Sequence, residues 1–374
     1  MSRHASTNRL VALIAATVSS LVASAALAGG SPCPCATDFD YDGQTAASDL
    51  AIMLGAWGDT GFSDLDANGI TDASDLAILL GAWGPCEGVE NDECVNAIVI
   101  DGESVVVPFC TASATDSAQS FPLFCGSDGD AAFIGKDMWF RYIMPYDGKL
   151  IVHTYDSSFD TVLGVYGNII NSACGCPGLS PNAVLIACDD DIGSSVQSFV
   201  DFNALEGSCY NIRVGGYKDT TTTAAGPGQL TLRPIKRGDR CDISNFVPPG
   251  TFIEIDGTNS GDTWIEADQS SCASNDTRDE WYRFVMPCDG EVTISTCHPN
   301  TNFDTTLAVF DECGGTEIAC NDDFSDPACA LGGPNRKSRV SLIGSSGEIF
   351  FVRVAGFNAS TGNFRLVFDV DCVN

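Results

Sequence analysis

The fold is decided by one stretch that the chain contains twice, as Asp137-Met-Trp-Phe-Arg-Tyr-Ile-Met-Pro-Tyr-Asp-Gly148 and as Asp279-Glu-Trp-Tyr-Arg-Phe-Val-Met-Pro-Cys-Asp-Gly290. Aromatic and β-branched residues are enriched in both copies, which is typical of strands, and the runs that follow alternate apolar with polar residues. The closing Asp-Gly dipeptide predicts a tight turn. Each copy therefore predicts a strand that turns into a hairpin.

Three further motifs recur around this stretch in the same order, so the repeat covers a whole domain. They are Phe159-Asp160-Thr161 with Phe303-Asp304-Thr305, Ala187-Cys188-Asp-Asp-Asp191 with Ala319-Cys320-Asn-Asp-Asp323, and Tyr210-Asn-Ile-Arg-Val-Gly-Gly-Tyr217 with Phe350-Phe-Val-Arg-Val-Ala-Gly-Phe357. Short strands punctuated by Gly, Pro and Asp, without helical periodicity, favour antiparallel sandwiches. We predict a mainly β chain with two tandem antiparallel, jelly-roll-like β-sandwich domains, at residues 91–236 and 238–374.

This repeated set of motifs resembles the bacterial pre-peptidase C-terminal family. The resemblance implies a jelly-roll-like sandwich attached to exported proteins, some of which bind calcium and collagen or carbohydrate. The acidic motifs are candidate calcium sites, because calcium favours clustered carboxylates; solvated turns are the alternative. The candidate ligands are Asp160, Asp189, Asp190, Asp304, Asp322 and Asp323.

A second duplication precedes the sandwiches, at residues 38–58 and 64–84. Each copy is a twelve-residue acidic loop followed by Leu-Ala-Ile-x-Leu-Gly-Ala-Trp-Gly, which predicts a helical turn or two. Acids or amides at positions 1, 3 and 5, Gly at position 6 and an acid at position 12 form the pattern of a calcium loop. Oxygen ligands favour calcium over zinc or copper. Solvated Asp-rich turns are the alternative.

These residues resemble a type I dockerin, a small α-helical module of two EF-hand-type loops that binds cohesin domains; here the module spans residues 33–86. By this resemblance the calcium ligands are Asp38, Asp40, Asp42, Gln44 and Asp49 in the first loop, and Asp64, Asp66, Asn68, Ile70, Asp72 and Asp75 in the second. Gln44 and Ile70 contribute carbonyl groups, whereas Ala46 at position 9 leaves its place to water.

The resemblance also implies a partner surface and a cohesin-like partner, although other extracellular proteins are alternatives. Dockerins contact their partners through positions 10 and 11 of each loop. The pair is the same in both copies, which is compatible with two binding poses related by a half-turn. The implied contact residues are Ala47, Ser48, Ala73 and Ser74.

The N-terminal residues predict export. Arg3 and Arg9 precede an apolar run that ends in small residues at Ala28, the pattern of a signal peptide over residues 1–28. A membrane anchor is the weaker alternative. The net charge of -32 disfavours nucleic acid and anionic lipid as partners. We therefore expect a secreted protein, either extracellular or on the outside of the cell envelope.

The 18 cysteines of an exported chain predict disulfides. Three cysteines flank the module: Cys33, Cys35 and Cys86. Because three is an odd number, these cysteines cannot all pair with one another. At least one bridge must then join the module to the first sandwich, and one of Cys33 and Cys35 is expected to pair with Cys86. Two local bridges are also predicted, Cys313 with Cys320 and Cys174 or Cys176 with Cys188.

The sequence contains no nucleophile elbow, no zinc-protease motif and no phosphate-binding glycine loop. Trp139 and Trp281 are expected in the core. We predict a secreted, calcium-binding, non-catalytic adhesion or assembly protein that binds an extracellular protein or polysaccharide. The alternatives are an accessory subunit or cryptic glycoside hydrolase of a polysaccharide-degrading system, favoured by a cleft with two carboxylates about 5 to 10 Å apart, and a purely structural envelope protein.

Overall fold

The computed structural model describes residues 33, 35–117, 125, 133–168, 174–192, 194–261, 270–273, 275–276, 278–326, 329 and 336–373. The predicted signal peptide, residues 1–28, lies outside the described residues. In the described part of the chain, none of the helices has the length and hydropathy that a membrane span requires.

Two short helices and a two-stranded ladder form the module at the front of the chain. They are α1 (Ala47–Gly55), α2 (Ala73–Gly81), β1 (Gln44–Thr45) and β2 (Gly84–Pro85). Each helix buries one large apolar side chain completely, Met53 in α1 and Leu79 in α2. The helices begin where the two acidic loops end, as the duplicated sequence predicts.

Among the described residues, the first sandwich has nine strands in two sheets. The strands are β3 (Ile98–Ile100), β4 (Val105–Cys110), β5 (Ile134–Ile143), β6 (Gly148–His153), β7 (Thr161–Asn168), β8 (Ala183–Asp189), β9 (Phe199–Ala204), β10 (Cys209–Tyr217) and β11 (Pro227–Lys236). One sheet has the order β3-β5-β10-β7-β8 and the other β4-β11-β6-β9. Paired strands are antiparallel except β3, which lies parallel to β5.

The second sandwich repeats this topology. Its strands are β12 (Asn245–Phe246), β13 (Phe252–Thr258), β14 (Asp279–Val285), β15 (Gly290–Ser295), β16 (Thr305–Phe310), β17 (Glu317–Asn321), β18 (Arg339–Gly344), β19 (Ile349–Gly356) and β20 (Asn363–Cys372). The sheet orders are β12-β14-β19-β16-β17 and β13-β20-β15-β18. The prediction of a mainly β chain with two tandem β-sandwiches is confirmed.

Each sandwich has its own apolar core between its two sheets. In the first, Phe140 from β5 and Leu150 from β6 are both fully buried. In the second, Tyr282 from β14 and Val292 from β15 take the equivalent places and are also buried. Burying one such side chain stabilises the fold by about 1.5 to 3 kcal/mol, so each core contributes to the stability of its own sandwich.

Each sandwich also buries an arginine beside a tryptophan. The guanidinium carbon of Arg213 lies 5.5 Å from the ring centre of Trp139, and that of Arg353 lies 6.0 Å from that of Trp281. Asp137 forms an ion pair with Arg213 inside the protein. Both tryptophans are buried, so their predicted place in the core is confirmed.

Nine disulfides join all 18 cysteines. The predicted bridge to Cys86 is confirmed, and its partner is Cys35. The predicted bridge from the module to the first sandwich is also confirmed, as Cys33–Cys110. The remaining bridges are Cys94–Cys176, Cys125–Cys188, Cys174–Cys209, Cys241–Cys313, Cys272–Cys320, Cys288–Cys372 and Cys297–Cys329.

The two predicted local bridges, Cys313 with Cys320 and Cys174 or Cys176 with Cys188, are wrong. Cys320 lies on β17, and Cys313 lies in the turn before that strand. An extended strand rises about 3.3 Å per residue, so the strand carries Cys320 away from the turn. Cys188 is placed in the same way on β8.

Candidate metal and ligand sites

The first acidic loop gathers three carboxylates. Oxygens of Asp38, Asp40 and Asp42 lie within 4.8 Å of one another. The N–H groups of Asp42 and Gly43 donate to Asp38 at 3.1 and 2.9 Å. Burial raises the pKa of Asp38 to about 6, and repulsion from Asp49 adds to this effect. The loop thus holds closely spaced acids that repel one another when ionised.

Asp49, at position 12, connects this loop to α1. Its Oδ1 accepts a hydrogen bond from the Phe39 N–H at 2.6 Å, and its Oδ2 accepts one from the Ala46 N–H at 2.8 Å. The second contact closes the first turn of the helix. The N–H of Gln44 donates to Asp42 at 2.8 Å, so each of these predicted ligands belongs to one hydrogen-bonded loop.

The second loop repeats the arrangement. Oxygens of Asp64, Asp66 and Asp75 lie within 4.8 Å of one another. The N–H groups of Asn68 and Gly69 donate to Asp64 at 3.0 and 2.7 Å, as their counterparts do in the first loop. Both donor sets consist of oxygen, so the residues present fit calcium.

Two other predicted ligands of the second loop already have hydrogen-bond partners. Asp72 accepts a bond from the Ser74 N–H at 2.7 Å and thereby caps α2. The N–H of Ile70 donates to Asn68 at 3.1 Å. One oxygen of Asp72, Oδ1, therefore has a structural role at the start of α2.

Both loops place the same two positions in the left-handed region of the backbone. At position 4, φ is 57° for Tyr41 and 56° for Ala67; at position 6 it is 95° for Gly43 and 97° for Gly69. Glycine adopts this conformation without strain. The two loops therefore share one backbone course in addition to one sequence pattern.

The first loop is fastened to the sandwich that follows. Lys136 Nζ donates to the carbonyl oxygens of Tyr41 at 3.1 Å and Ala112 at 2.9 Å. A Cβ atom at Gly43 would lie 3.0 Å from the Ala112 oxygen, so glycine permits this close approach, whereas Gly69 has open space. Together with the Cys33–Cys110 bridge, these contacts make the first loop part of the sandwich surface.

The first sandwich has an acidic cluster of its own. Oxygens of Asp160, Asp190 and Asp191 lie within 4.8 Å of one another. The Oδ1 atoms of Asp160 and Asp190 are buried and have no hydrogen-bond partner among the described residues. The predicted ligand Asp189 instead accepts a bond from the Phe199 N–H at 2.8 Å. Burial raises the pKa of Asp190 to about 7.

The second sandwich has an arginine at the corresponding place. Arg336 Nη1 lies 3.3 Å from Asp304 Oδ2. The N–H of Thr305 donates to the Arg336 carbonyl at 2.9 Å, and that of Thr161 donates to the Val196 carbonyl at 3.0 Å. Val196 is therefore the counterpart of Arg336, and the first sandwich has an aliphatic side chain where the second has a cation.

The other predicted ligands of the second sandwich, Asp322 and Asp323, lie close to Asp304. Burial raises the pKa of Asp304, Arg336 offsets part of this effect, and repulsion from Asp323 adds to it. Burial also raises the pKa of Asp322 to about 6, and repulsion from Asp323 and Asp304 adds to this effect. Within the described ranges, however, these three acids form no group with oxygens inside 4.8 Å of one another. The two sandwiches thus differ in how tightly their acids converge.

The four predicted partner contacts of the module are exposed to solvent: Ala47, Ser48, Ala73 and Ser74. Just after the helices, two large apolar side chains are also exposed, with 45% of Trp57 and 49% of Trp83 accessible. These two tryptophans occupy equivalent positions of the two repeats. Each repeat therefore presents a similar exposed surface.

A cleft of about 620 Å³ opens on the second sandwich, lined by Asp256, Glu280, Asn300 and Asn363 among others and by Lys236 from the end of β11 in the first sandwich. Glu280 is only 8% exposed. Burial raises its pKa, and Lys236 offsets part of this effect.

Hydrogen bonds fix both carboxylates of the cleft. The oxygens of Glu280 accept bonds from Asn245 Nδ2 at 2.9 Å and from the Thr258 N–H at 3.2 Å. Asp256 accepts bonds from Arg365 Nε at 2.8 Å and Nη2 at 2.7 Å. The cleft thus combines one buried acid and one exposed, ion-paired acid.

Several residues of these sites were missed from sequence, among them Lys136, Asp191, Glu280 and Arg336. Asp191 belongs to a quoted motif, and its adjacency to Asp190 was the available signal. Glu280 differs from its counterpart Met138 within the repeated stretch, which was a second signal. Lys136 and Arg336 lie outside the repeated motifs, so their contacts appear only once the strands are assembled.

The fold defines a tandem β-sandwich protein. Two stretches of the chain, residues 90–180 and 239–328, match the model of a T9SS-associated family described as galactose binding domain-like. The two matched stretches fall on the first and the second sandwich, so each sandwich is similar to this galactose binding domain-like model. No curated protein sequence matches the chain significantly.

Several solved structures are similar at low identity. The pre-peptidase C-terminal domain of a collagenase from Bacillus anthracis is 11% identical with a TM-score of 0.22, and the match covers 37% of this chain and 94% of that one. CorA, a surface-associated copper-binding protein of Methylomicrobium album BG8, is 8% identical with a TM-score of 0.25, covering 38% and 99%. Tripeptidyl peptidase 2 is 11% identical with a TM-score of 0.23, covering 74% and 27%.

Proposed function

We propose that the chain is an exported, calcium-binding, non-catalytic protein of adhesion or assembly that binds an extracellular polysaccharide or protein. The pair of oxygen-lined loops carries this proposal, because their clustered carboxylates need a divalent ion to offset their repulsion. The nine disulfides support export. In this proposal residues 33–86 form the calcium module, and residues 91–236 and 238–374 form the binding sandwiches.

Each loop of the module would hold one calcium ion. The proposed ligands are Asp38, Asp40, Asp42, Gln44 and Asp49 in one loop and Asp64, Asp66, Asn68, Ile70, Asp72 and Asp75 in the other. Calcium would supply the positive charge that offsets the repulsion among these carboxylates, and the backbone N–H groups keep the acids in place. Asp49 links the ligands of the first loop to α1, and Asp75 links those of the second loop to α2.

We extend the calcium proposal to the first sandwich. The buried, unpartnered oxygens of Asp160 and Asp190 support it, with Asp191 as a third ligand. In the second sandwich Arg336 already places positive charge beside Asp304. The proposal therefore assigns a third ion to the first sandwich and none to the second.

The module is also proposed to dock onto a protein partner, in the manner of a dockerin on a cohesin-like domain. The exposed tryptophans Trp57 and Trp83 support this, because large exposed apolar side chains are common at protein interfaces. The similarity of the two repeats would allow a partner to bind in two poses. The contact surface is centred on Ala47, Ser48, Ala73 and Ser74.

The sandwiches are proposed to bind the polymer, which is in keeping with the galactose-binding-like description of the matched family. A glycoside hydrolase is the second candidate, because Asp256 and Glu280 line one cleft. Retaining and inverting hydrolases both use two acids across the scissile bond. Here Arg365 holds Asp256 as an ion pair, so the proposal keeps binding as the role of this cleft.

The experiment uses the full mature chain, with calcium or with a chelator, on cellulose, xylan, chitin and galactan. We expect calcium titration to give about three sites, at least one polysaccharide to retain the protein, and no reducing sugar to be released. Absence of calcium binding would remove the metal part of the proposal. Release of sugar that is lost in Glu280→Gln would replace binding by hydrolysis.

A further inference from the structure

We propose that the cleft of the second sandwich binds a neutral hexose ring, with Glu280 as its central hydrogen-bonding residue. This inference rests on the proposed function, because it names the ligand class and the site within the polymer-binding sandwiches. It is independent of the calcium loops and of the partner surface of the module.

The fold does not require a carboxylate at position 280. Its strand position is opposite Val354, and the corresponding Met138 of the first sandwich is opposite Val214. Met138 belongs to the apolar core. A buried carboxylate costs free energy that a methionine does not. Since one copy folds with methionine, the carboxylate in the other copy points to a ligand.

Hydrogen bonds from neighbouring residues hold the Glu280 carboxylate in place. Asn245 and the Thr258 N–H each bind one of its oxygens, and each oxygen keeps a lone pair for a further donor. A Cβ atom at Gly238 would lie 3.0 Å from Glu280 Cγ and closer still to Asn245, so glycine lets the inter-sandwich segment approach here. The acid is positioned before any ligand arrives.

The wall of the cleft offers both hydrogen-bond donors and hydrogen-bond acceptors. The side chains of Asp256, Asn300 and Asn363 offer acceptors, the two amides and Lys236 offer donors, and the apolar Phe364 is only 1% exposed. Sugar hydroxyls both donate and accept, so they can match such a mixed wall. Two carboxylates disfavour anions. A volume of about 620 Å³ lies within the usual range of small-ligand sites.

The test titrates the calcium-loaded full chain with galactose, glucose, N-acetylglucosamine and cellotriose by calorimetry, and with glucosamine as a cationic probe. We expect at least one neutral sugar to bind. Glu280→Met gives the cleft the residue of the first sandwich and should weaken binding at least tenfold. Asn300→Ala, on an exposed loop, should weaken it at least threefold. Glu291→Met, an exposed position outside the cleft, is the matched control and should bind like the unmodified chain.

The outcomes separate this inference from the proposed function. If a polysaccharide or neutral sugar binds equally well to Glu280→Met and Asn300→Ala, the cleft is not the site, although polymer binding stands. If only glucosamine binds, the cleft is a cation site and the inference is wrong. If no sugar and no polysaccharide binds, both fall. If Glu280→Met loses its folded circular dichroism spectrum, Asn300→Ala and Asn363→Ala decide.

Discussion

Arg213 donates to both carboxylate oxygens of Asp137, from Nε at 2.8 Å and from Nη2 at 3.0 Å, and neither side chain is exposed. Burial of this kind makes the two charges depend on each other, because removing one leaves the other unpaired in a medium that solvates it poorly. The second sandwich uses Arg353 with Asp276 and Asp279 in the same place.

We predict that Arg213→Met lowers the free energy of unfolding of the first sandwich by about 3 to 5 kcal/mol, because Asp137 is left as a buried, unpaired charge. The double variant Arg213→Met with Asp137→Leu should recover most of the loss. Urea denaturation followed by tryptophan fluorescence measures both values. Lys149→Met breaks the exposed pair with Asp201 and should cost less than about 1 kcal/mol; equal costs for the two single variants would contradict the prediction.

Removal of one loop acid should remove one calcium ion. We predict that Asp38→Ala and Asp64→Ala each reduce the calorimetric calcium stoichiometry by about one, because each disrupts one oxygen shell. Asp38→Ala should also lower the melting temperature of the first sandwich, since Lys136 and the Cys33–Cys110 bridge fasten this loop to it. Asp59→Ala, an exposed acid between the loops, serves as the control. Unchanged stoichiometry in both variants would sink the two-loop account.

Calcium binding at the acidic clusters of the two sandwiches should depend on whether an arginine lies beside the acids. We predict that Val196→Arg abolishes calcium binding at Asp160 and Asp190, because a guanidinium then supplies the positive charge. Arg336→Val, the reciprocal exchange, should allow a cation to bind at Asp304. Each change should alter the calcium stoichiometry by about one, downward for Val196→Arg and upward for Arg336→Val. A Val196→Arg chain that still binds every ion would refute this assignment.

Glu280 should make stability depend on pH. Burial raises its pKa above the ordinary value of 4.5, so the folded state binds the proton more tightly than the unfolded state does. Its contribution is neutral below about pH 4.5 and becomes destabilising as the pH rises through the folded-state pKa. Glu280→Gln should therefore gain stability relative to the unmodified chain between pH 4 and pH 7, measured by urea denaturation at both values.

The control for this pH series is Glu291→Gln, an exposed acid of the same sandwich. Its stability relative to the unmodified chain should stay constant over the same range. Any constant cost of the lost carboxylate in Glu280→Gln cancels, because only the change with pH is compared. A Glu280→Gln difference that does not change between pH 4 and pH 7 would show that this acid titrates normally.

The elements that depend on neighbouring residues were predictable from sequence. The strand that begins at Asp137 and its copy at Asp279 carry their pattern locally, and local pattern decides strand and turn. The helices after the acidic loops were predictable for the same reason. The buried positions of Trp139 and Trp281 followed from their place in a repeated strand.

The contacts that depend on assembly were not predictable. In the first sandwich Phe109 packs against Gly228 across the β4–β11 pair, whereas in the second Phe364 packs against Gly257 across the β13–β20 pair. The aromatic ring has changed strands between the copies, and both arrangements fill one space. A comparison of aligned residues cannot show this exchange, because the partners are more than a hundred residues apart in sequence.

The candidate site divides in the same way. Within each loop the acids lie within twelve residues of one another, so their convergence could be predicted from their spacing. The disulfide partners of Cys313 and Cys320, the approach of Arg336 to Asp304 and the cleft around Glu280 each join distant segments. These features depend on strand order, which single-sequence patterns do not encode.

The Cys33–Cys110 bridge gives the junction between the module and the first sandwich a second covalent path beside the peptide chain. A protease that cuts once between residues 86 and 110 therefore cannot release the module unless this disulfide is also reduced. A partner bound to the module would therefore stay attached to the first sandwich after a single cut that would separate two domains joined by an ordinary linker.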